Sequence, residues 1–533
     1  MRALDVVLGA LVLLNLWVLL SDGFAQSVAG VRVSVRSPQD VLLTTVAVLA
    51  LRWALALPAP DLRRPGRLVA AGVVVYTLVF SLISLGQHWT FRTHAMDLGY
   101  YVQVVWMLGH GLTPHETLLE QHAWAGHLSP ILYLLAPLGR LPRVAEALLV
   151  FQALALALGA VPLYLMARPR LGAAMASALA VLYLLNPSLH GITTKDFHTA
   201  ALAIPLLLTA MCAVDDGRWW LFWPAAILTL ATREDAGIAV VGLGLWILLA
   251  RRHGALGLAV TGLGLAWLFA SVEWIVPFFR GGPYPYFTAR YADLGDSLGA
   301  VVLSPLLRPR AVLLSLLSAE RLRYLAALLA PLGFLPMAAP LSAAGAVPAL
   351  AQNLLSIEPV LFNYRSQYQS FVLPFLLVAA ASGLQALARR ERGRVKPRHV
   401  LAIAVLTSLV LSARTVNALA VSRWWPGEGP RSAERLMASI PPDASVTTQE
   451  RPFAHLAQRR YVYRFPNGLD RSQYAFVNGG RLGAGEIGRV PARREDSVVT
   501  ILPPGPGSRR PYRFEVVDEA GGFLLLRPAP TPP

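Results

Sequence analysis

The sequence predicts an all-α polytopic transmembrane helix bundle of about thirteen spans, followed by a small extracytoplasmic α/β or α+β domain at the C-terminal end. Three observations predict it. Of 533 residues, 55% are hydrophobic and only 14% charged, whereas average soluble domains are about a quarter charged. Apolar runs near spanning length recur through residues 1–423. From residue 424 the composition shifts to Arg, Pro and Gly, with short alternating runs that read as strands.

The apolar runs fall at 3–21, 41–57, 68–87, 144–167, 171–187, 200–214, 219–231, 236–250, 254–277, 322–338, 342–357, 369–388 and 399–421. A span needs about 20 residues, or roughly 17 at the short end, so several are short. Arg2, the apolar stretch to Leu20 and Phe24-Ala25-Gln26 imitate a signal peptide. The spans that follow favour an uncleaved first helix. Cys212 is the single cysteine, which excludes an intrachain disulfide and a thiolate zinc site.

Basic residues in short loops set orientation. Arg63, Arg64 and Arg67, then Arg168 and Arg170, Arg251 and Arg252, and the run from Arg389 to Arg398 all fall on one side when the spans alternate. That side is cytoplasmic, together with the N-terminus, in a cytoplasmic (plasma) membrane, and the C-terminal domain lies outside. The outer stretch 278–323 carries six arginines against this pattern, but long loops obey it poorly. The net charge of +17 therefore reads as topology and contact with anionic lipid. Nucleic acid is not expected, because no basic stripe is interleaved with exposed aromatics.

Within the outer segments, residues 97–110 read as a helix beginning at Asp97, with Leu98, Tyr101, Val105 and Leu108 on one face. Residues 128–141 and 299–320 read as further helices along the outer surface. The tail, 424–533, predicts helices near 431–440 and 452–459 and strands at 461–463, 474–477, 498–502 and 523–526, ending in a disordered Pro-rich tip. It holds no nucleophile elbow or phosphate loop, so recognition or bracing is its expected role.

Three polar clusters interrupt the greasy part on that same outer side: Asp97, then Lys195-Asp196-Phe197-His198, then Arg233-Glu234-Asp235. Ionisable groups at membrane depth are costly and tend to mark sites. Asp97 reads equally as a helix N-cap and as a carboxylate that takes a proton from an acceptor hydroxyl. Asp196 and His198 alternate on an extended loop and can share a ligand or a proton; a solvated loop is the plain alternative. The run 219–231 reaches only about 20 Å as helix, against roughly 30 Å of hydrocarbon. Arg233-Glu234-Asp235 should then sit partly within the apolar layer, as a structural ion pair or as a site. Arg233 suits a phosphate, since a guanidinium makes two parallel bonds to it.

His110, His115, His122 and His127 share one outer loop with Glu116 and Glu120. Their spacing does not give the His-Glu-x-x-His zinc pattern, so no metal set is predicted and a polar loop over the pocket is the reading, with His127 facing in. The aromatic loop Tyr284–Tyr291, with Arg290, reads as an interfacial belt or as a sugar platform beside a phosphate. Tyr364, in Asn363-Tyr364-Arg365-Ser366, carries the same two readings.

Five short motifs carry a resemblance: Met96-Asp97-Leu98-Gly99, His127-Leu128-Ser129-Pro130-Ile131, Asp196-Phe197-His198, Glu234-Asp235 and Gln352-Asn353-Leu354-Leu355-Ser356. With them, most of residues 90–470 resembles a family of bacterial and archaeal integral-membrane proteins designated domain of unknown function 2079. The family usually has Phe at Met96, Lys at Arg233 and His at Asn363. It is distantly similar to the GT-C glycosyltransferases, which use polyprenyl-phosphate-linked sugars outside the cytoplasmic membrane and keep an acidic residue early in the first large outer loop. Asp97 stands in that position.

The resemblance implies a GT-C-like bundle and a membrane glycosyltransferase taking its sugar from a polyprenyl-phosphate donor. Asp97, Asp196, Glu234 and Asp235 are then the catalytic candidates. His127, Lys195, His198, Arg233, Arg290, Tyr291 and Tyr364 are the substrate-binding ones. No cofactor is implied, and a divalent metal stays open. A transporter or flippase of a lipid-linked or polar solute, and a non-catalytic scaffold, remain the alternatives.

Overall fold

The structure, a computed structural model, describes residues 6–7, 9–11, 13–14, 24–28, 31–35, 65–295, 297–389, 396–419, 426–480, 486–487, 490–502 and 511–530. The runs expected at 3–21 and 41–57 therefore lie largely or wholly outside the described residues, as do the expected Pro-rich tip beyond residue 530 and much of the basic run 389–398. A short hairpin, β1 (Phe24–Val28) with β2 (Val31–Val35), stands where the sequence offered only a signal-like end.

Among the described residues, four helical stretches are long and apolar enough to cross a membrane by length and composition: Pro65–Trp89, Val144–Leu184, Thr199–Asp216 and Gly254–Arg280. The second bends at Gly172, whose φ of 76° lies in the left-handed region that suits glycine. That bend separates the two runs expected at 144–167 and 171–187. Shorter apolar helices, Trp219–Leu230, Ala236–Ala250, Leu373–Ala388 and Pro397–Leu411, complete the bundle. Helices dominate because hydrocarbon offers no partner to a free peptide group.

Large side chains fill the bundle, with Tyr183, Phe222, Trp246, Phe371 and Phe375 fully buried. Helices Ala236–Ala250 and Gly254–Ala270 meet backbone to backbone. A Cβ on Gly237 would sit 2.6 Å from the Gly264 carbonyl oxygen, the close approach that small residues allow between membrane helices.

Two expected spans are not continuous helices. After Ala319–Leu329 the chain runs through short 3-10 turns and helices of three to eight residues to Leu354. Pro331, Pro336, Pro340 and Pro348 each lack the amide that would continue the ladder, so the runs 322–338 and 342–357 break up. Downstream of the fourth spanning stretch, 299–320 folds as Leu298–Leu307 and Pro309–Leu316, with Arg308 between them in a non-helical backbone.

The segment 95–141 also departs from its expected form. The helix starts at Ala95, as a five-residue π turn to Gly99, and continues as Tyr100–Gly109. Asp97 is thus the third residue of that turn, and the N-cap position belongs to His94. Residues 128–141 yield one α turn, Leu132–Leu135, and a 3-10 segment, Ala136–Arg140. Between Gly109 and residue 128 lies a small hairpin of two-residue strands, β3 (His115–Glu116) with β4 (Gln121–His122).

Residues 446–528 form an eight-stranded mixed sheet: β5 (Val446–Thr448), β6 (Val462–Arg464), β7 (Tyr474–Asn478), β8 (Glu486–Ile487), β9 (Val490–Glu495), β10 (Val498–Ile501), β11 (Tyr512–Ala520) and β12 (Phe523–Pro528). The spatial order is β6-β5-β7-β12-β11-β10-β9-β8. Only β5 pairs in parallel, with β6 and with β7. Helices Glu428–Ala438 and Phe453–Leu456 accompany it. The sheet shares one buried cluster with residues 91–149 and 197–202, in which Val446, Phe453 and Phe476 pack with Leu98, Tyr101 and Phe197. Polar contacts pin the joint: the Thr117 hydroxyl bonds the Val462 main chain, and Arg471 pairs with Glu120.

Candidate functional site

The first constellation forms where the π turn Ala95–Gly99 meets the loop Lys195–His198. Gln152, the one amide in the apolar helix Val144–Leu158, pins that loop: its Nε2 donates to the Asp196 carbonyl at 2.6 Å, and its Oε1 accepts from the His198 amide at 2.8 Å. Asp196 is held at φ 49°, a rare conformation for a side-chain-bearing residue. His198 Nε2 donates to Asp97 Oδ1 at 3.0 Å. The ring and the main-chain amide of His94 both bond Asp196 Oδ2, at 2.9 and 3.0 Å. Two carboxylates and two imidazoles are thereby paired crosswise.

Their surroundings pull the two carboxyls apart. Burial raises Asp97, but the His198 hydrogen bond, its charge and those of Lys195 and His94 outweigh it and hold Asp97 at about 2. Asp196 is pushed upward, by burial first and by the neighbouring Asp97 charge, against the His94 hydrogen bond. Asp97 keeps 28% of its side chain exposed, so it has a face open to a ligand. One donor atom each from His94, Asp97 and Asp196 lies within 4.8 Å of the others. Imidazole and carboxylate donors of this kind suit a divalent cation. His110, His115 and His122 form no such group among the described residues.

The second constellation is Arg233-Glu234-Asp235 with the loops that carry His127 and Tyr284. Glu234 is fully buried and accepts from three donors: His127 Nδ1 at 2.9 Å, the Leu128 amide at 3.1 Å and the Tyr284 hydroxyl at 3.0 Å. With Nδ1 donating, a neutral His127 ring accepts at Nε2, where the Tyr286 hydroxyl lies at 3.3 Å. Arg233 makes a two-pronged pair with Asp235, which also accepts from Gln352 at 2.9 Å. The Arg233 guanidinium thus commits its Nε and Nη2 to a carboxylate, where the sequence suggested a phosphate.

Arg290 is different. It is 6% exposed and donates to the Tyr368 hydroxyl at 2.7 Å, and its guanidinium lies 4.3 Å over the Tyr286 ring. Glu358 stands 3.7 Å from its Nε, too far to bond, and that buried nitrogen has no hydrogen-bond partner. Arg290 opens on a cavity of about 350 Å³. Asp235, Gln352, Tyr284, Tyr286 and Tyr291 line its polar part, and Ile238, Leu265, Leu268, Val301 and Leu355 are among its apolar walls.

The two constellations adjoin. Leu128 bonds Glu234, and the next residue, Ser129, bonds Thr199 at 3.2 Å, immediately after His198. Tyr101 lies between them. Its hydroxyl is pushed up to about 12, by burial first, and it feels the charges of Arg233, Asp97 and Glu234. The other sequence candidates divide. Lys195 acts on the Asp97 charge. The Tyr291 hydroxyl bonds the Gln352 carbonyl on the cavity wall. Tyr364 bonds the Leu411 carbonyl at 3.4 Å and packs against the bundle core, outside both networks.

Residues 87–478 match the family of predicted membrane proteins designated DUF2079. No curated protein matches the chain. Two crystal structures of ArnT from Cupriavidus metallidurans resemble it. The one bound to undecaprenyl phosphate has a TM-score of 0.49 and 16% identity, covering 87% of this chain and 98% of that one. The apo form has a TM-score of 0.44 and 15% identity, covering 86% and 98%.

Proposed function

We propose that this chain, which belongs to the DUF2079 family of predicted membrane proteins, is a membrane transferase that takes a sugar from a polyprenyl-phosphate donor on the extracytoplasmic face. The observation that carries the reading is Arg290: a buried guanidinium with an unbonded Nε at the head of a largely apolar cavity. A buried donor without a partner is costly. A phosphate seated against this guanidinium, with its isoprenoid chain along the apolar walls, satisfies both ends of the cavity together.

In the transfer, an acceptor hydroxyl attacks the anomeric carbon and the bond from that carbon to the phosphate oxygen breaks. The electron pair leaves with the phosphate, whose added charge falls beside Arg290. Asp97, ionised and oriented by His198, fixes the acceptor and faces the positive charge that develops on the sugar. Asp196 has the more basic carboxyl of the pair and takes the proton. Glu234, saturated by neighbours, holds His127 in place, and Asp235 holds Arg233 beside the cavity wall. The cytoplasmic N-terminus and the outer C-terminal domain belong to the same proposal.

The test is lipid identity. Native mass spectrometry of the full-length protein, purified in its own lipid, should find a polyprenyl phosphate that is lost in Arg290→Ala. Failure of undecaprenyl phosphate either to co-purify or to bind on titration would sink the proposal.

A further inference from the structure

The turn that carries Asp97 is not capped by its own neighbourhood. His94 holds the N-cap position but makes no side-chain cap bond, because its ring is engaged by Asp196. The first amide of the turn, that of Ala95, donates instead to Glu450 Oε1 at 3.0 Å, 355 positions along the chain. Glu450 is steadied by Arg464 on β6, at 3.5 Å. The neighbouring Arg451 reaches the Arg92 carbonyl. His455 Nε2 donates to the His88 carbonyl at 3.0 Å, with the two imidazoles stacked at 3.9 Å.

The other end of the turn is held by the same segment. A Cβ on Gly99 would lie 2.5 Å from a ring carbon of the fully buried Phe453. Residues 450–456 therefore grip the turn at Ala95 and at Gly99. Ala95, Leu98 and Gly99 face inward, and Asp97, midway, keeps its exposed side. A π turn closes with wider hydrogen-bonded loops than an α turn and is common at functional sites; here it closes from the Gly99 amide to the His94 carbonyl at 3.1 Å.

We infer that Glu450 is a positioning residue for Asp97: the C-terminal sheet completes the candidate active site by capping and clamping the turn that presents this carboxylate. The inference rests on the transferase reading only in what Asp97 is for. The clamp itself is a matter of geometry.

Hydrogen exchange on the full-length protein in nanodiscs tests it. Glu450→Ala should raise exchange across 95–99 about fivefold, the scale of a lost cap, with strand Tyr474–Asn478 unchanged. Glu450→Gln, whose amide oxygen still accepts, should restore the protection. Carbethoxylation of His198 by diethyl pyrocarbonate should accelerate in Glu450→Ala, since Asp97 no longer screens Nε2, and should return to normal in Glu450→Gln. Gly99→Ala, which displaces Phe453, should loosen the same turn from its other end.

Unchanged exchange at 95–99 in both Glu450→Ala and Gly99→Ala overturns the inference. So does equal loosening by Glu450→Gln, which would make charge rather than capping the cause. Undecaprenyl phosphate binding separates the two claims. If wild type fails to bind it while Glu450→Ala still loosens the turn, the clamp stands and the transferase reading falls.

Discussion

The two constellations use the same residue types to opposite ends. Around Asp97, each carboxylate has an imidazole partner, and Asp97 keeps an open face. Around Glu234 and Asp235, the carboxylates accept from His127, Leu128, Tyr284, Arg233 and Gln352, and the neighbouring Arg290 keeps a buried Nε without a hydrogen bond. A paired but open carboxylate can exchange a proton or hold a hydroxyl. A saturated, buried one fixes geometry. Under the proposed transfer, the first region does the chemistry and the second supports it, with Arg290 as the anion seat.

The largest expected effect tests the supporting role. Arg233→Ala leaves Asp235 buried without its cation, a loss of about 3–5 kcal/mol for a buried pair broken on one side. Thermal unfolding should show it as a marked loss of stability. Replacing both residues by apolar ones of similar volume should recover much of that loss. A Arg233→Ala protein of wild-type stability would mean that the pair is not the brace its geometry implies.

Next in size is Asp97→Asn, which keeps shape and removes charge. Sugar transfer should fall about a hundredfold or more, the scale of a lost electrostatic stabiliser of the transition state, while undecaprenyl phosphate binding holds. If binding fell with activity, Asp97 would belong to the lipid seat and the division between the regions would fail. Arg290→Ala should do the reverse. Loss of a charge-assisted bond of about 1.5–3 kcal/mol weakens lipid phosphate binding roughly tenfold to a hundredfold, and Arg290→Lys should keep part of it.

Much of the first region was legible in the sequence, because Asp97, Asp196 and His198 interrupt apolar runs at a cost that needs a reason. Gln152 carried the same signal, a lone amide within an apolar helix, and sequence reasoning passed over it. His94 was not legible: two residues before Met96-Asp97 it looks like loop, and only the turn's curvature brings it to Asp196. Arg233 was singled out as a phosphate ligand because guanidinium suits phosphate, yet Asp235 two residues on takes both prongs. Proline placement was visible at 331, 336, 340 and 348, but hydropathy alone hides that these residues end helices. The Glu450 contact spans 355 positions, beyond any local pattern.

The smallest effect comes from a carboxylate that lacks what Asp97 has. Glu116, on β3 at the joint with the sheet, is fully buried, with one oxygen bonded by the Leu119 amide and the other without a partner. Burial pushes it up to about 7, against the Leu119 and Leu118 amides. A carboxyl raised in the folded state favours folding in its protonated form. That contribution is fully present below the ordinary value of 4.5 and is lost as pH rises towards 7. Protection at the hairpin, measured against the intrinsic exchange rate at each pH, should therefore fall between pH 4.5 and 7, and Glu116→Gln should flatten the change. Asp97, held at about 2 by His198, titrates below that window, so protection across 95–99 should not follow the hairpin. If both segments loosened together, burial alone would set these carboxyls, and the His198 bond would not be what holds Asp97 low.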